Sequence, residues 1–195
     1  ARTGGGGGGG EAISTLSVSR GASCAVAVAT SDGRLFTCPH AAHVGPGNSM
    51  SMTLRTGIAV EQPEAKLAWG WGRLLASTAT RDGGTGVVLV DAQRGATLQE
   101  KALEFPVAAI AGLEPDVDAG GGGGPCVFCV GGADGTLLVL ESESLAVRHR
   151  TAPGGLSPWS RLFAVEWLTN PDASIRYLAT AGVLSDGGGG GGGDG

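Results

Sequence analysis

Four Asp-Gly pairs recur along this chain at nearly equal intervals, and no other feature limits its fold as strongly. Asp32-Gly33, Asp82-Gly83, Asp134-Gly135 and Asp186-Gly187 are separated by steps of about 50 residues, a period typical of repeat architectures. Each pair follows a strand-like run: CAVAVA at 24–29, LLASTA at 74–79, CVFCV at 126–130 and YLATA at 177–181. The first three are followed by another: RLFTC at 34–38, VVLV at 87–90 and TLLVL at 136–140. Apolar run, Asp-Gly, apolar run predicts a tight β-hairpin. Gly accepts positive φ, and Asp tolerates the left-handed region while bonding its own backbone.

Aligning the units on these turns exposes two more segments. Upstream of each hairpin lies an apolar run: ISTLSV at 13–18, KLAWGW at 66–71, VAAIAGL at 107–113 and FAVEWL at 163–168. Downstream of the first three comes a more polar one: SMTLR at 51–55, ATLQEK at 96–101 and LAVRHR at 145–150. Each complete unit therefore predicts four antiparallel strands. The middle two are almost wholly apolar, as strands covered on both faces are, and the last carries charge, as an exposed edge does. No segment holds an apolar stripe of helical period between caps. The fold class is all-β, a β-propeller portion of three complete blades and half of a fourth. The blades span 11–57, 58–104, 105–152 and 153–186, with a Gly-rich insertion at 120–124 and Gly-rich linkers at 1–10 and 187–195.

On these residues the chain resembles the WD40 repeat family from about Glu11 to Asp186, most clearly in LATAG at 178–182 and VGGADGTLLVL at 130–140. In that family the turn between the second and third strands carries an Asp, so the resemblance assigns that place to Asp32, Asp82, Asp134 and Asp186. The units are degenerate: no Gly-His opens one, and Val90-Asp91 and Leu140-Glu141 stand where Trp-Asp closes the third strand. The hydrogen-bond tetrad built on His and Trp is therefore largely missing. The run LVDAQRGATL at 89–98 also resembles a quinoprotein-type blade, through a turn from Asp91 to Gly95. Half a ring would expose apolar blade faces, so the remaining blades are expected from further sequence or a partner chain.

Composition narrows the functions. A formal charge of −5, with the 13 basic residues scattered, argues against a nucleic-acid surface. No apolar stretch approaches the ~18 residues of a membrane span, and no signal peptide opens the chain. Four cysteines without a secretory signal fit a reducing compartment, hence an intracellular, cytoplasmic or nuclear location.

The chemical candidates all have plainer readings. Cys126 and Cys129 have redox-motif spacing but lie in a strand rather than at a helix N-terminus, so they read, with Cys24, as buried structural thiols. Cys38, His40 and His43 offer three ligand types, but a closed zinc site needs a fourth, and the segment reads as a surface loop. The glycine tracts lack the Lys-Ser/Thr of a phosphate loop. Glu141 and Glu143, like Glu114, Asp116 and Asp118, read as solvated turns without a nucleophile. Trp69 and Trp71 share one strand face and read as packing. No catalytic residue, cofactor or metal is expected. The favoured function is a protein–protein interaction scaffold in a larger assembly, with protein partners that include a chain supplying the remaining blades. A propeller enzyme or quinoprotein-like cofactor domain, and a reader of modified peptides, are the alternatives.

Overall fold

The computed structural model describes residues 12–19, 24–38, 51–55, 57–62, 64–70, 72–80, 82–113, 127–151, 159–169 and 176–184. Every regular element among them is a β-strand. β1 (Ile13–Val18), β2 (Val26–Thr30), β3 (Leu35–Cys38) and β4 (Thr53–Leu54) form one antiparallel sheet in chain order. β5 (Leu67–Gly70), β6 (Arg73–Ala79), β7 (Thr85–Asp91) and β8 (Thr97–Leu103) form the second. β9 (Val107–Gly112), β10 (Val127–Gly132), β11 (Leu137–Glu141) and β12 (Val147–Thr151) form the third, while β13 (Trp159–Thr169) and β14 (Arg176–Leu184) pair alone. Each sheet is a simple meander, so the first strands lie next to one another and the fourth strands lie outermost. This is the propeller-blade arrangement expected from the repeat. The segments 87–98 and 127–140, where a helix would have been fatal to that reading, are strands and turns.

Strand period places alternate residues on opposite faces, and the registers show how the sheets use it. In the second sheet Leu74 pairs with Val90 and Ala76 with Val88, and these four pack against Ala25, Ala27, Ala29 and Leu35 of the first. Leu75 pairs with Leu89 on the opposite face, where both meet Phe128, Val130, Leu138 and Leu140 of the third sheet. The third sheet in turn sets Ala111 and Cys129 against Val165, with Trp167 and Leu178 alongside. Full burial of each such Leu, Val or Phe is worth about 1.5–3 kcal/mol, which makes the seams between sheets the main source of cohesion. β8 and β12 are exposed along most of their length, as outermost strands with charged sequences should be.

The seams are sewn by polar contacts as well. The Trp69 indole Nε1 donates to the Ser17 carbonyl, and Thr15 Oγ1 to that of Ala65, at 3.1 and 2.6 Å. Gly112 lets the inner strands approach, because a Cβ there would overlap the Trp69 carbonyl.

The Asp-Gly hairpins differ from expectation in one respect. Gly33, Gly83 and Gly135 have φ of 84°, 81° and 85°, but the only described non-glycine residues at positive φ are Cys24 and Leu145. The aspartates therefore do not take the left-handed conformation. Gly33 N donates to Thr30 O and Thr30 N to Arg34 O, both at 3.0 Å, which is a turn followed by a left-handed glycine bulge. Gly83 with Thr80, and Gly135 with Gly132, repeat the pattern. Asp186 and Gly187 lie outside the described residues.

Candidate interaction surfaces

Because every second-to-third-strand turn falls at the same end of its sheet, the three hairpins share one rim. There each Asp is used through its carboxylate. Asp32 accepts the Thr30 hydroxyl and pairs with Arg34 at 2.8 Å, and Asp82 accepts Thr80 Oγ1 at 2.5 Å. Asp134 instead accepts from the residue beyond the glycine, Thr136, through both N and Oγ1 at 2.9 Å. Bonds to the charged form favour it. The Thr30 bond accordingly holds the Asp32 carboxyl below its ordinary value, and the Thr80 bond does the same for Asp82.

The hairpin tips are not equivalent. Val60 N donates to Gly33 O at 3.1 Å, and a Cβ on Gly33 would stand 2.6 Å from the Gln62 amide nitrogen, so the connector into the second sheet lies on the first hairpin. A Cβ on Gly135 would overlap the Trp159 carbonyl at the start of β13. Among the described residues Gly83 has no neighbour within 4 Å of that position. The connector from β8 to β9 is too short to climb over it, and it runs past at Thr85, whose Oγ1 donates to Phe105 O at 2.6 Å.

Sequence reading missed one connector residue, Glu61. Its backbone N donates to Ser77 O at 3.0 Å, and its carboxylate is partly enclosed, with Oε2 buried and without a hydrogen-bond partner among the described residues. Burial raises its pKa, and the Ser77 hydroxyl and the Lys66 charge pull the other way. A single Glu in a polar connector carries no sequence signal for this.

At the opposite end, the turns from third to fourth strand match each other in the second and third sheets. Gly95 N donates to Asp91 O, and Leu145 N to Glu141 O, with Gly95 and Leu145 at φ 69° and 53°. Arginines of the preceding sheets reach these turns: Arg55 donates to Ala92 O at 3.1 Å and Arg73 to Ser142 O at 2.8 Å. Leu145 holds its left-handed backbone while its side chain is buried in the seam between the second and third sheets. The turn at Asp91–Gly95 is thus shared blade architecture, and Glu141 is bound up with Ser144 and Arg148 rather than facing a ligand.

The thiols divide. Cys129 is fully buried, and burial pushes its pKa to about 12, so it is structural. Cys38 ends β3 as a buried strand residue paired with Val26, not as part of a surface loop. Cys24 corrects the expectation of burial: it is exposed, at φ 41°, just before β2. Cys126, His40, His43, Trp71, Glu114, Asp116 and Asp118 lie outside the described residues. Trp69 is buried in the first seam, as packing requires.

The most unusual surfaces are the two outer sheet faces. Apart from Leu98 and Val147 on the outermost strands, every strongly exposed large apolar residue described belongs to the first or the last sheet. On the first, Leu16 pairs with Val28, Val18 with Val26, and Phe36 with both Val28 and Leu54, making one apolar face across all four strands. On the last, Leu168 pairs with Tyr177 and Arg161 with Val183, and the Arg161 guanidinium lies 5.5 Å from the Phe163 ring centre. Leu16 is 60% exposed and Tyr177 56%.

No protein-family profile and no curated protein matches this sequence. Solved structures do match. BBS1N in complex with ARL6DN superposes with a TM-score of 0.60 at 14% identity, over 88% of this chain and 48% of that one. A chain of the Mitotic Checkpoint Complex gives 0.58 at 13%, over 88% and 44%. The RRP9 WD40 repeats give 0.54 at 13%, over 80% and 42%. The chain has a WD40-like β-propeller fold. It spans a little under half the length of these three structures.

Proposed function

We propose that this chain is a non-enzymatic scaffold segment, with units 11–57, 58–104, 105–152 and 153–186, that binds protein chains through its outer sheets within a larger intracellular assembly. The observation that carries this reading is the concentration of exposed large apolar side chains on the first and last sheets, Leu16, Val18 and Leu54 on one and Leu168, Tyr177 and Val183 beside Arg161 and Glu166 on the other. Contiguous apolar patches beyond a few hundred Å² are unusual on soluble monomers and mark sites where another chain packs. Solved structures of similar fold support it, since one is described in complex with ARL6DN and another within the Mitotic Checkpoint Complex. The Thr–Asp pairs of the rim serve as turn supports in this reading, with Asp186 and Gly187 in the corresponding place of the last unit.

A photoreactive residue placed at Tyr177 tests it. The scaffold reading expects covalent capture of a protein chain in cell extract, reduced when Val183 is also replaced by Glu. Absence of any protein adduct would contradict it.

A further inference from the structure

We propose that Asp82-Gly83 is a site of spontaneous covalent modification, the place among the described hairpins where aspartate rearranges to isoaspartate through a cyclic imide. This concerns the rim and not the outer sheets, so it stands apart from the scaffold reading.

The reaction joins a carboxyl to the backbone nitrogen of the next residue. Gly83 N attacks Asp82 Cγ in its neutral carboxylic acid form. An N–Cγ bond forms, the Cγ–OH bond breaks, and the hydroxyl leaves as water with the amide proton. Water then adds to one of the two imide carbonyls. Cleavage of N–Cγ restores Asp, whereas cleavage between Gly83 N and the Asp82 main-chain carbonyl leaves isoaspartate. One water is lost and one gained, and no oxidant or cofactor enters. Glycine suits the attacking position because it has no Cβ to hinder the approach.

The three described Asp-Gly pairs share this chemistry and differ in what surrounds them. In each closed turn the nucleophile is engaged: Gly33 N and Gly83 N donate to Thr30 O and Thr80 O at 3.0 Å, and Gly135 N to Gly132 O at 3.1 Å. Ring closure therefore waits on local opening of the tip, and its rate follows how easily each tip opens. The first tip is held by Val60 N on Gly33 O, by Gln62 beside Gly33, and by the Asp32–Arg34 ion pair. The third is held by Ala133 N on Pro106 O at 2.9 Å, by Thr136 on Asp134, and by the Trp159 carbonyl against Gly135. Gly33 and Gly135 are both buried.

The second tip has none of these covers among the described residues. Asp82, Gly83 and Gly84 are all exposed, and its opening breaks only bonds within the turn: Gly83 N to Thr80 O, Thr80 N to Gly84 O, and Thr80 Oγ1 to Asp82. Gly84 adds backbone freedom where the other two hairpins have Arg34 and Thr136. The Asp-Gly pairs beyond Leu184 lie outside the described residues.

Water enriched in heavy oxygen reads the ring directly, because each hydrolysis leaves one labelled oxygen on the residue whether Asp or isoaspartate results. The full chain is incubated at about pH 5, where a measurable fraction of an ordinary Asp is neutral, once folded and once in urea. Circular dichroism checks the folded sample. After transfer to ordinary water, trypsin separates Asp32, Asp82 and Asp134 onto peptides 21–34, 82–94 and 102–148, and tandem mass spectrometry locates the label. Dividing each unfolded rate by the native rate removes the effect of flanking sequence. This protection is expected to be at least about 10-fold lower at Asp82 than at Asp32 and Asp134. The variant D82S should leave peptide 82–94 unlabelled. A smaller difference from either of the other tips, no label at Asp82 in the folded chain while the unfolded chain labels fully, or label persisting on 82–94 in D82S would overturn the proposal.

Discussion

β6 and β14 occupy the same place in their repeats, second strand of a sheet, yet they meet opposite surroundings. Between sheets on either side, β6 buries Leu74, Leu75, Ala76 and Ser77 in succession, whereas β14 alternates exposed and half-buried residues along its length. The two sequences, RLLASTA and RYLATAGVL, are similar in kind. Burial of a blade strand is therefore decided by what packs on its two faces, and only secondarily by its own residues.

The sharpest way to break this comparison is a pair of truncations. Phe128→Ala, in the seam between second and third sheets, should cost about 3–5 kcal/mol. Tyr177→Ala, at an exposed position of the last sheet, should change stability by about 0.5 kcal/mol or less. Urea unfolding midpoints read both, and equal losses would show that the outer face is already packed. A smaller contrast separates two hairpins. Gly135→Ala meets both the Trp159 carbonyl and an unfavourable φ, while Gly83→Ala meets the φ alone, about 1–2 kcal/mol. Thermal midpoints should therefore fall further for Gly135→Ala, and the reverse order would refute the idea that connectors clamp some tips and not others.

pH separates the rim from the connector. Asp32 and Asp82 have lowered pKa values, so their contribution is present above the ordinary Asp value and is lost as pH falls through the folded value. Glu61 is raised, so the folded state binds its proton more tightly than the unfolded chain. Its ionisation costs stability that grows as pH rises from the ordinary Glu value through the folded one. Glu61→Gln should raise the melting temperature at pH 7 and lose that advantage towards pH 4, whereas Asp82→Asn should lower it slightly at pH 7. A Glu61→Gln variant melting lower at pH 7 would mean that the carboxylate has a partner worth more than its burial. The smallest effect is chemical: in the native state a thiol reagent should modify Cys24 within seconds to minutes and leave Cys129 untouched until unfolding.

Much of the fold could be read from the sequence because blades signal locally. Period-two apolar runs bounded by Asp-Gly give the meander, and charge in ATLQEK and LAVRHR marks the outermost strands. What escaped has no pattern along the sequence. At Asp32 the carboxylate is taken up by the Thr30 hydroxyl, and a Thr is too common to be a signal. Cys24 looked like the start of a buried strand because CAVAVA is uniformly apolar, but β2 begins two residues later, after a left-handed kink. Glu61 and the left-handed Leu145 are set by neighbours far along the chain, and neither has a pattern of its own.

Sheets gain their protection from neighbours on both faces, and amide hydrogen exchange of the chain reads this strand by strand. The slowest exchange is expected in β6, β7 and β10, near the limit of global unfolding, with β14 exchanging orders of magnitude faster despite being two residues longer than β6 and β7. Equal protection of β14 and β6 would show that packing on both faces does not decide it.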